Sequence, residues 1–272
     1  MSAPRDRSAF LNGLRFHWLE RGAPSAPPLL LIHGAAQTAH SFDEVAPDLA
    51  RDHFVVSIDQ RGHGDTDWAP RYRREDFVRD IGAVLDHHGW RSATVIAMSL
   101  GGLNSMAFTA AHPDRVRGLV VVDVVPTIAP KGREEIGRQL GIRDFASFEE
   151  AVAQAHAFNP RRTLENIRER LGHSMREQPD GRWGYKFDSG IAGGAEGDLD
   201  RLWADVRKIR CPALLLRGAE SPILTADAAD RFTREVRGAV TVEVPGAGHS
   251  VMGDNPAGFL AAVRPFLARH GL

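Results

Sequence analysis

Cysteine is almost missing from this 272-residue chain, where Cys211 stands alone. A single thiol excludes an internal disulfide and any multi-cysteine zinc site. An excess of one charge is missing too: Lys plus Arg number 34 and Asp plus Glu 35, a formal net charge of −1. Nucleic-acid binders and polybasic membrane binders carry a basic excess or a clustered patch, so neither kind of partner is expected. No apolar run approaches the roughly 20 residues that span a bilayer. The stretch Met1 to Asn12 is charged and poor in apolar side chains, so no secretory signal is visible and a cytoplasmic location is expected. No His-Glu-x-x-His pattern occurs, and neither a metal nor a cofactor is expected.

What is present is a series of apolar runs of strand length. Leu29–Ile32 precedes His33-Gly34, Phe54–Ile58 precedes Asp59, Ala93–Ala97 leads into Met98-Ser99, and Leu119–Val122 ends at Asp123. Later come Ala213–Leu216 and Val240–Val244. Continuous apolar strands fit a sheet covered on both faces, and their alternation with helical patterns points to a mostly parallel sheet. Near the start, Leu14–Glu20 alternates in polarity after the turn dipeptide Asn12-Gly13, which predicts an antiparallel edge hairpin. The fold class is α/β. A chain of this length buries roughly three quarters of its extended-state surface and needs no staple.

Residues 126–200 interrupt the rhythm. They lack strong strand runs and hold helical signals, among them the capping-box match Ser147–Glu150 and the apolar face of Leu164, Ile167 and Leu171 after Asn159-Pro160. An all-helical cap is expected here, inserted in a core formed by residues 1–125 and 201–272. The stretch Ser189–Gly194 reads as a loop at its exit, with a hinge as the alternative.

Ser99 is the most informative residue. An apolar strand runs into Ala97-Met98-Ser99-Leu100-Gly101, and a helical pattern leaves it through Leu103, Ala107 and Ala111. On such an elbow the serine sits on a strained turn that lifts Oγ above the sheet, and small residues are needed two positions either side. Gly101 meets that need, and Ala97 stands where glycine is usual. The helix N-terminus favours developing negative charge. A neutral hydroxyl needs a base. His249, in Pro245-Gly246-Ala247-Gly248-His249 directly after the last strand, is the candidate among twelve histidines. His33-Gly34-Ala35-Ala36 follows the first long apolar strand, so the backbone N–H groups of Ala35 and Leu100 are the candidate oxyanion donors.

Together these motifs resemble the α/β-hydrolase superfamily over essentially the whole chain. Asp59-Gln60-Arg61-Gly62-His63-Gly64-Asp65-Thr66 is similar to a structural turn of that superfamily, with Arg61 expected to bond nearby backbone. The resemblance implies serine-based hydrolysis without cofactor, by a carboxylesterase-like enzyme of a Ser-His-Asp type. In most members the acid follows the penultimate strand, where this chain has Ser221 and Pro222. Some members instead draw it from the end of the strand after the nucleophile, where Asp123 stands. We take Asp123 as the acid, with Ser221 as a supporting hydrogen-bond donor. Glu220 is the alternative, and Asp227 a further one.

The implied partner is a small acyl substrate: a carboxylic ester first, or a lactone, an amide or a C–C bond on the same machinery. A non-catalytic ligand-binding member is the contrasting reading. His33, His40, Phe42, Met98, Trp183 and Tyr185 are the candidate pocket residues. Arg161 and Arg162, in the cap, are expected to be solvated.

Overall fold

The computed structural model describes residues 3–141, 144–191 and 199–272. Its first two strands, β1 (Arg5–Leu11) and β2 (Leu14–Arg21), form the expected antiparallel hairpin, with Leu11 opposite Leu14. Asn12 and Gly13 both take positive φ, 50° and 81°, as the tightest hairpin turn requires.

The strands that follow are β3 (Pro28–Ile32), β4 (Phe54–Ile58), β5 (Ala93–Met98), β6 (Val116–Val122), β10 (Ala213–Gly218) and β11 (Val240–Val244). They complete an eight-stranded sheet in the order β1-β2-β4-β3-β5-β6-β10-β11. From β4 to β11 every pairing is parallel.

The period-2 geometry of the strands divides their apolar side chains between two cores. Leu30, Ile32, Val95, Ala97, Leu119 and Val121 face one side. There they meet α2 (Arg74–His87), α3 (Ser99–Ala111) and the helices Leu199–Val206 and Ala226–Glu235. Leu29, Leu31, Ile96, Met98, Val120 and Val122 face the other, against α1 (Ala46–Leu49) and the C-terminal helix Pro256–His270. Because neither face of the central strands β3, β4, β5 and β6 meets water, these strands read as largely continuous apolar runs.

The segment between β6 and β10 carries α4 (Pro130–Gly141), α5 (Phe148–Phe158) and α6 (Leu164–Ser174). Ser147 caps α5, accepting from the Glu150 N–H, whereas α6 is capped by Thr163 rather than at Asn159. The segment is not all-helical. Asp144–Phe145 (β7), Met175–Glu177 (β8) and Trp183–Tyr185 (β9) form a small antiparallel sheet in the order β7-β9-β8. Strands of two or three residues are too short to leave a periodic signal in sequence. The segment also has its own apolar cluster, built on Phe145, Ala151, Val152, Ile167, Leu171 and Met175. The predicted loop at 189–194 falls in part outside the described residues. Among the described residues, no helix is long and apolar enough to cross a membrane.

Candidate active site

The C-terminal ends of β3, β5, β6, β10 and β11 lie side by side along the sheet, and each delivers a loop to one region. Ser99 follows β5 immediately and opens α3 with φ 51°, a left-handed conformation that costs a non-glycine residue roughly 1–3 kcal/mol. Its N–H and that of Leu100 belong to the first helical turn, where N–H groups have no intrahelical partner. A Cβ at Gly101 would lie 2.5 Å from the His33 carbonyl oxygen and 2.7 Å from that of Ile32, so only glycine lets the elbow pack on the end of β3. Ala97 is fully buried in the sheet, and its methyl packs in the core.

The loop after β3 is held from several sides. His33 is fully buried, and its Nε2 accepts from the Gln60 N–H at 3.0 Å. The proton therefore sits on Nδ1, which donates to the Gly34 carbonyl at 2.6 Å. Burial pushes the His33 pKa down, so the ring stays neutral. Gln37 Oε1 accepts from the Gly34 N–H at 3.1 Å, and Gln37 Nε2 donates to Ser250 Oγ at 3.1 Å. Ser250 Oγ in turn lies 4.0 Å from Met98 Sδ. One side chain thus ties the candidate oxyanion loop to the loop of His249, and Ser250 ties the latter to the residue before Ser99. Ala36, beside Ala35, also has positive φ, 56°.

Asp123 ends β6 with φ 54° and its side chain is fully buried. Its Oδ1 accepts from the Gly218 N–H at 2.9 Å, while Oδ2 accepts from Ser221 Oγ and lies 2.7 Å from His249 Nδ1. An ionised carboxylate only accepts, so Nδ1 carries the proton and Nε2 is left with a lone pair. Glu220 is elsewhere: half exposed and paired with Arg161. The structure therefore brings Asp123 and Ser221 to His249 and leaves Glu220 at the surface. Asp227 lies in the first turn of the helix Ala226–Glu235, after the Thr225 cap.

Several expected pocket residues are engaged elsewhere. Phe42 and Met98 are buried in the core beneath the sheet, and His33 is the structural ring just described. Trp183 packs on Phe148 within the inserted segment, with ring centroids 4.8 Å apart. His40 pairs with Asp43 and stacks on His173. Tyr185 is the one that reaches the candidate site, in an apolar cluster where Leu140, Phe187 and Ile191 meet Leu100, Ala35 and Ala36. Leu140 and Ile191 were missed in sequence, because nothing local marks which apolar residue of an insertion folds back on a distant elbow.

Two arginines also differ from expectation. Arg61 bonds the Asp80 carboxylate rather than backbone, with Nη2 2.7 Å from Oδ1. Arg162 is not solvated. Its guanidinium lies in a buried ion pair with Asp254, 2.8 Å apart, and reaches the Ser250 carbonyl at 3.3 Å. Asp254 also accepts from the Gly248 N–H at 2.9 Å and from Asn159 at 2.8 Å. The two residues flanking His249 are thus each held by this pair, one by its carboxylate and one by its guanidinium.

The turn after β4 is structural, as expected. The buried Asp59 accepts from His17 Nδ1, from the Ala39 N–H, both at 2.6 Å, and from the Asp65 N–H at 2.9 Å. Burial opposes ionisation of Asp59, but the His17 bond and the neighbouring imidazoles outweigh it and hold its pKa below the usual range.

Residues 27–256 match the family model described as "alpha/beta hydrolase fold". The chain is 32% identical to Esterase Rv0045c of Mycobacterium tuberculosis, covering 91% of this chain and 85% of the relative. It is 30% identical to a 3-hydroxybutyrate-oligomer hydrolase of Cupriavidus necator, over 92% and 91% of the two chains. Among solved structures it is similar to an E-2-(acetamidomethylene)succinate hydrolase, with a TM-score of 0.88, 26% identity and coverage of 98% and 100%.

Proposed function

The chain belongs to the α/β-hydrolase fold family and is a hydrolase, and from that membership we propose that it cleaves small carboxylic esters through Ser99, His249 and Asp123. The observation that carries the proposal is the buried Asp123 carboxylate on His249 Nδ1, which leaves Nε2 free to take a proton. Ser99 attacks the ester carbonyl while His249 Nε2 accepts its proton, and the tetrahedral oxyanion rests on the N–H groups of Ala35 and Leu100. His249 then protonates the departing alkoxide, leaving an acyl-enzyme on Ser99. Water repeats the sequence: His249 takes its proton, the hydroxyl adds to the acyl carbon, and the acid leaves as Ser99 recovers its proton. Asp123 fixes the tautomer and balances the imidazolium without itself becoming protonated.

Residues 126–200 act as the cap in this reading, and Tyr185, Leu140 and Phe187 supply the apolar wall for the acyl group.

A panel of p-nitrophenyl esters from acetate to octanoate, with Ser99→Ala as control, tests this. Short esters are turned over, and the variant loses at least about a thousandfold. Silence on all esters, with turnover of a lactone, an amide such as an acetamidomethylene succinate, or a diketone acid, would replace the ester reading by one of those.

A further inference from the structure

Two buried amide side chains lie between the nucleophile elbow and the candidate oxyanion loop, and the steps of hydrolysis described above make no use of them. Gln60 is in the turn after β4, and Asn104 is on the second turn of α3, the helix that Ser99 opens. Both are buried, as is His33 between them and the loop. Asparagine is a poor helix former, and a buried amide costs stability unless its polar groups are bonded. An apolar pair fills the same space without that cost, so packing alone does not account for them.

Their hydrogen bonds run in one direction. Arg74, at the start of α2, donates from Nη1 to Asn104 Oδ1 at 2.9 Å. A guanidinium has no acceptor, so the Asn104 oxygen must face it and the amide nitrogen must face away. Asn104 Nδ2 donates to Gln60 Oε1 at 2.9 Å, which leaves Gln60 Nε2 to donate to the His33 carbonyl at 2.7 Å. The Gln60 N–H donates to His33 Nε2, so one residue holds both the carbonyl and the ring of His33. The ring in turn donates from Nδ1 to the Gly34 carbonyl. That carbonyl and the Ala35 N–H belong to one trans peptide unit and point opposite ways. Fixing the carbonyl therefore aims the N–H, and the bond it accepts polarises the unit and strengthens the N–H as a donor. The unit borders the nucleophile, since a Cβ at Gly34 would lie 3.0 Å from that of Ser99.

Resting on the reading of Ser99 as nucleophile and Ala35 as oxyanion donor, we propose that Gln60 and Asn104 are positioning residues for the hydrolysis. With Arg74 they form a one-way hydrogen-bond relay that clamps His33 and so holds the Ala35 N–H toward the oxyanion formed when Ser99 attacks. Because Asn104 rides on the helix that Ser99 opens, the relay also ties the position of the donor to that of the nucleophile. The His33 carbonyl it grips is the one against which Gly101 packs.

Asn104→Asp tests the direction of the relay. The carboxylate keeps the size of the side chain and its bond to Arg74 but cannot donate, so Gln60 must turn Nε2 toward it and set Oε1 against the His33 carbonyl. Gln60→Met breaks the same link without adding charge, and Ser105→Ala, a buried neighbour on α3 outside the relay, is the control. The measurements are kcat and KM on a short ester, and Ki for a trifluoromethyl ketone, whose carbonyl carbon takes Ser99 Oγ while its oxygen becomes an oxyanion. Rates are counted per Ser99 titrated by a fluorophosphonate, so misfolded protein does not enter. In both relay variants kcat is expected to fall at least about tenfold with KM within about twofold, and Ki to rise by a similar factor, because the donor acts on the oxyanion rather than on the bound ester. Ser105→Ala changes none of the three. Relay variants with wild-type kcat and Ki, whatever their Tm, or with a raised KM alone, would overturn the relay and leave Ser99 as the nucleophile. A folded wild type that takes no adduct at Ser99 would overturn the reading of the nucleophile, and the relay with it.

Discussion

Asp123 Oδ2 and His249 Nδ1 lie 2.7 Å apart, the carboxylate fully buried and the imidazole partly open to solvent. The proposed acid comes from the end of β6, and the place after β10 is taken by Ser221, whose hydroxyl donates to the same oxygen. Asp123→Asn keeps the shape but cannot hold the productive tautomer. It is expected to lower kcat by up to about 10⁴ with little change in Tm, whereas Glu220→Gln leaves kcat within twofold or so because it only frees the exposed Arg161. Steady-state kinetics on one ester substrate checks both. Equal losses in the two variants would reassign the acid.

Arg162 and Asp254 are a buried ion pair between the inserted segment and the loop of His249. Arg162→Ala strands the Asp254 carboxylate without its cation, an expected cost of about 3–5 kcal/mol. The loop that carries His249 loosens with it, so kcat falls more than KM rises. Urea unfolding measures the first and ester kinetics the second.

Gln37 spans Gly34 and Ser250, the loops of the candidate oxyanion donor and of the candidate base. Gln37→Ala is expected to reduce kcat about ten- to a hundredfold through misplacement of these groups, since errors near 1 Å cost that much. Tm shifts little. An unchanged kcat would mean that the bridge positions nothing.

His63 is fully buried, and desolvation, with the neighbouring His33 adding to it, pushes its pKa down to about 3. In the unfolded chain the same ring titrates near 6.5. A folded pKa below the unfolded one makes its contribution fully present above pH 6.5 and lost progressively as pH falls toward 3. His63 alone therefore removes about 2 kcal/mol of stability between pH 6.5 and 5.0, and His33, shifted the same way, adds to the slope. Urea midpoints at the two pH values check this, and His63→Phe should have the shallower acid slope whatever its stability at pH 7.

Fold and site differ in how much of them the sequence reveals. The covered sheet was readable because strands such as Leu29–Ile32 and Leu119–Val122 must be apolar on both faces. The elbow and the Gly-x-Gly-His loop were readable because backbone strain and close approach restrict which residues fit. Ser99, Ala36 and Asp123 are three of the four non-glycine residues with positive φ among the described residues, and all lie at the candidate site. Partners chosen by long-range packing leave no such local mark. Trp183 and Tyr185 share one short strand and both pack on the Phe145 cluster, yet only Tyr185 also packs on the cluster that contains Leu100. Phe42 and Met98 look like pocket residues from their neighbours in sequence, but strand alternation turns Met98 into the core below Ser99, and Phe42 packs there with it. Arg162 reads as a surface cation until Asp254, 92 residues later in the chain, is seen beside it.

The central claim is that Ser99 is an activated nucleophile. Intact mass after incubation with a small fluorophosphonate, followed by peptide mapping, tests it most directly. The expected result is a single adduct on Ser99, absent in Ser99→Ala and formed far more slowly in His249→Gln. A folded wild-type protein that takes no adduct, or that carries it on another residue, would contradict the account.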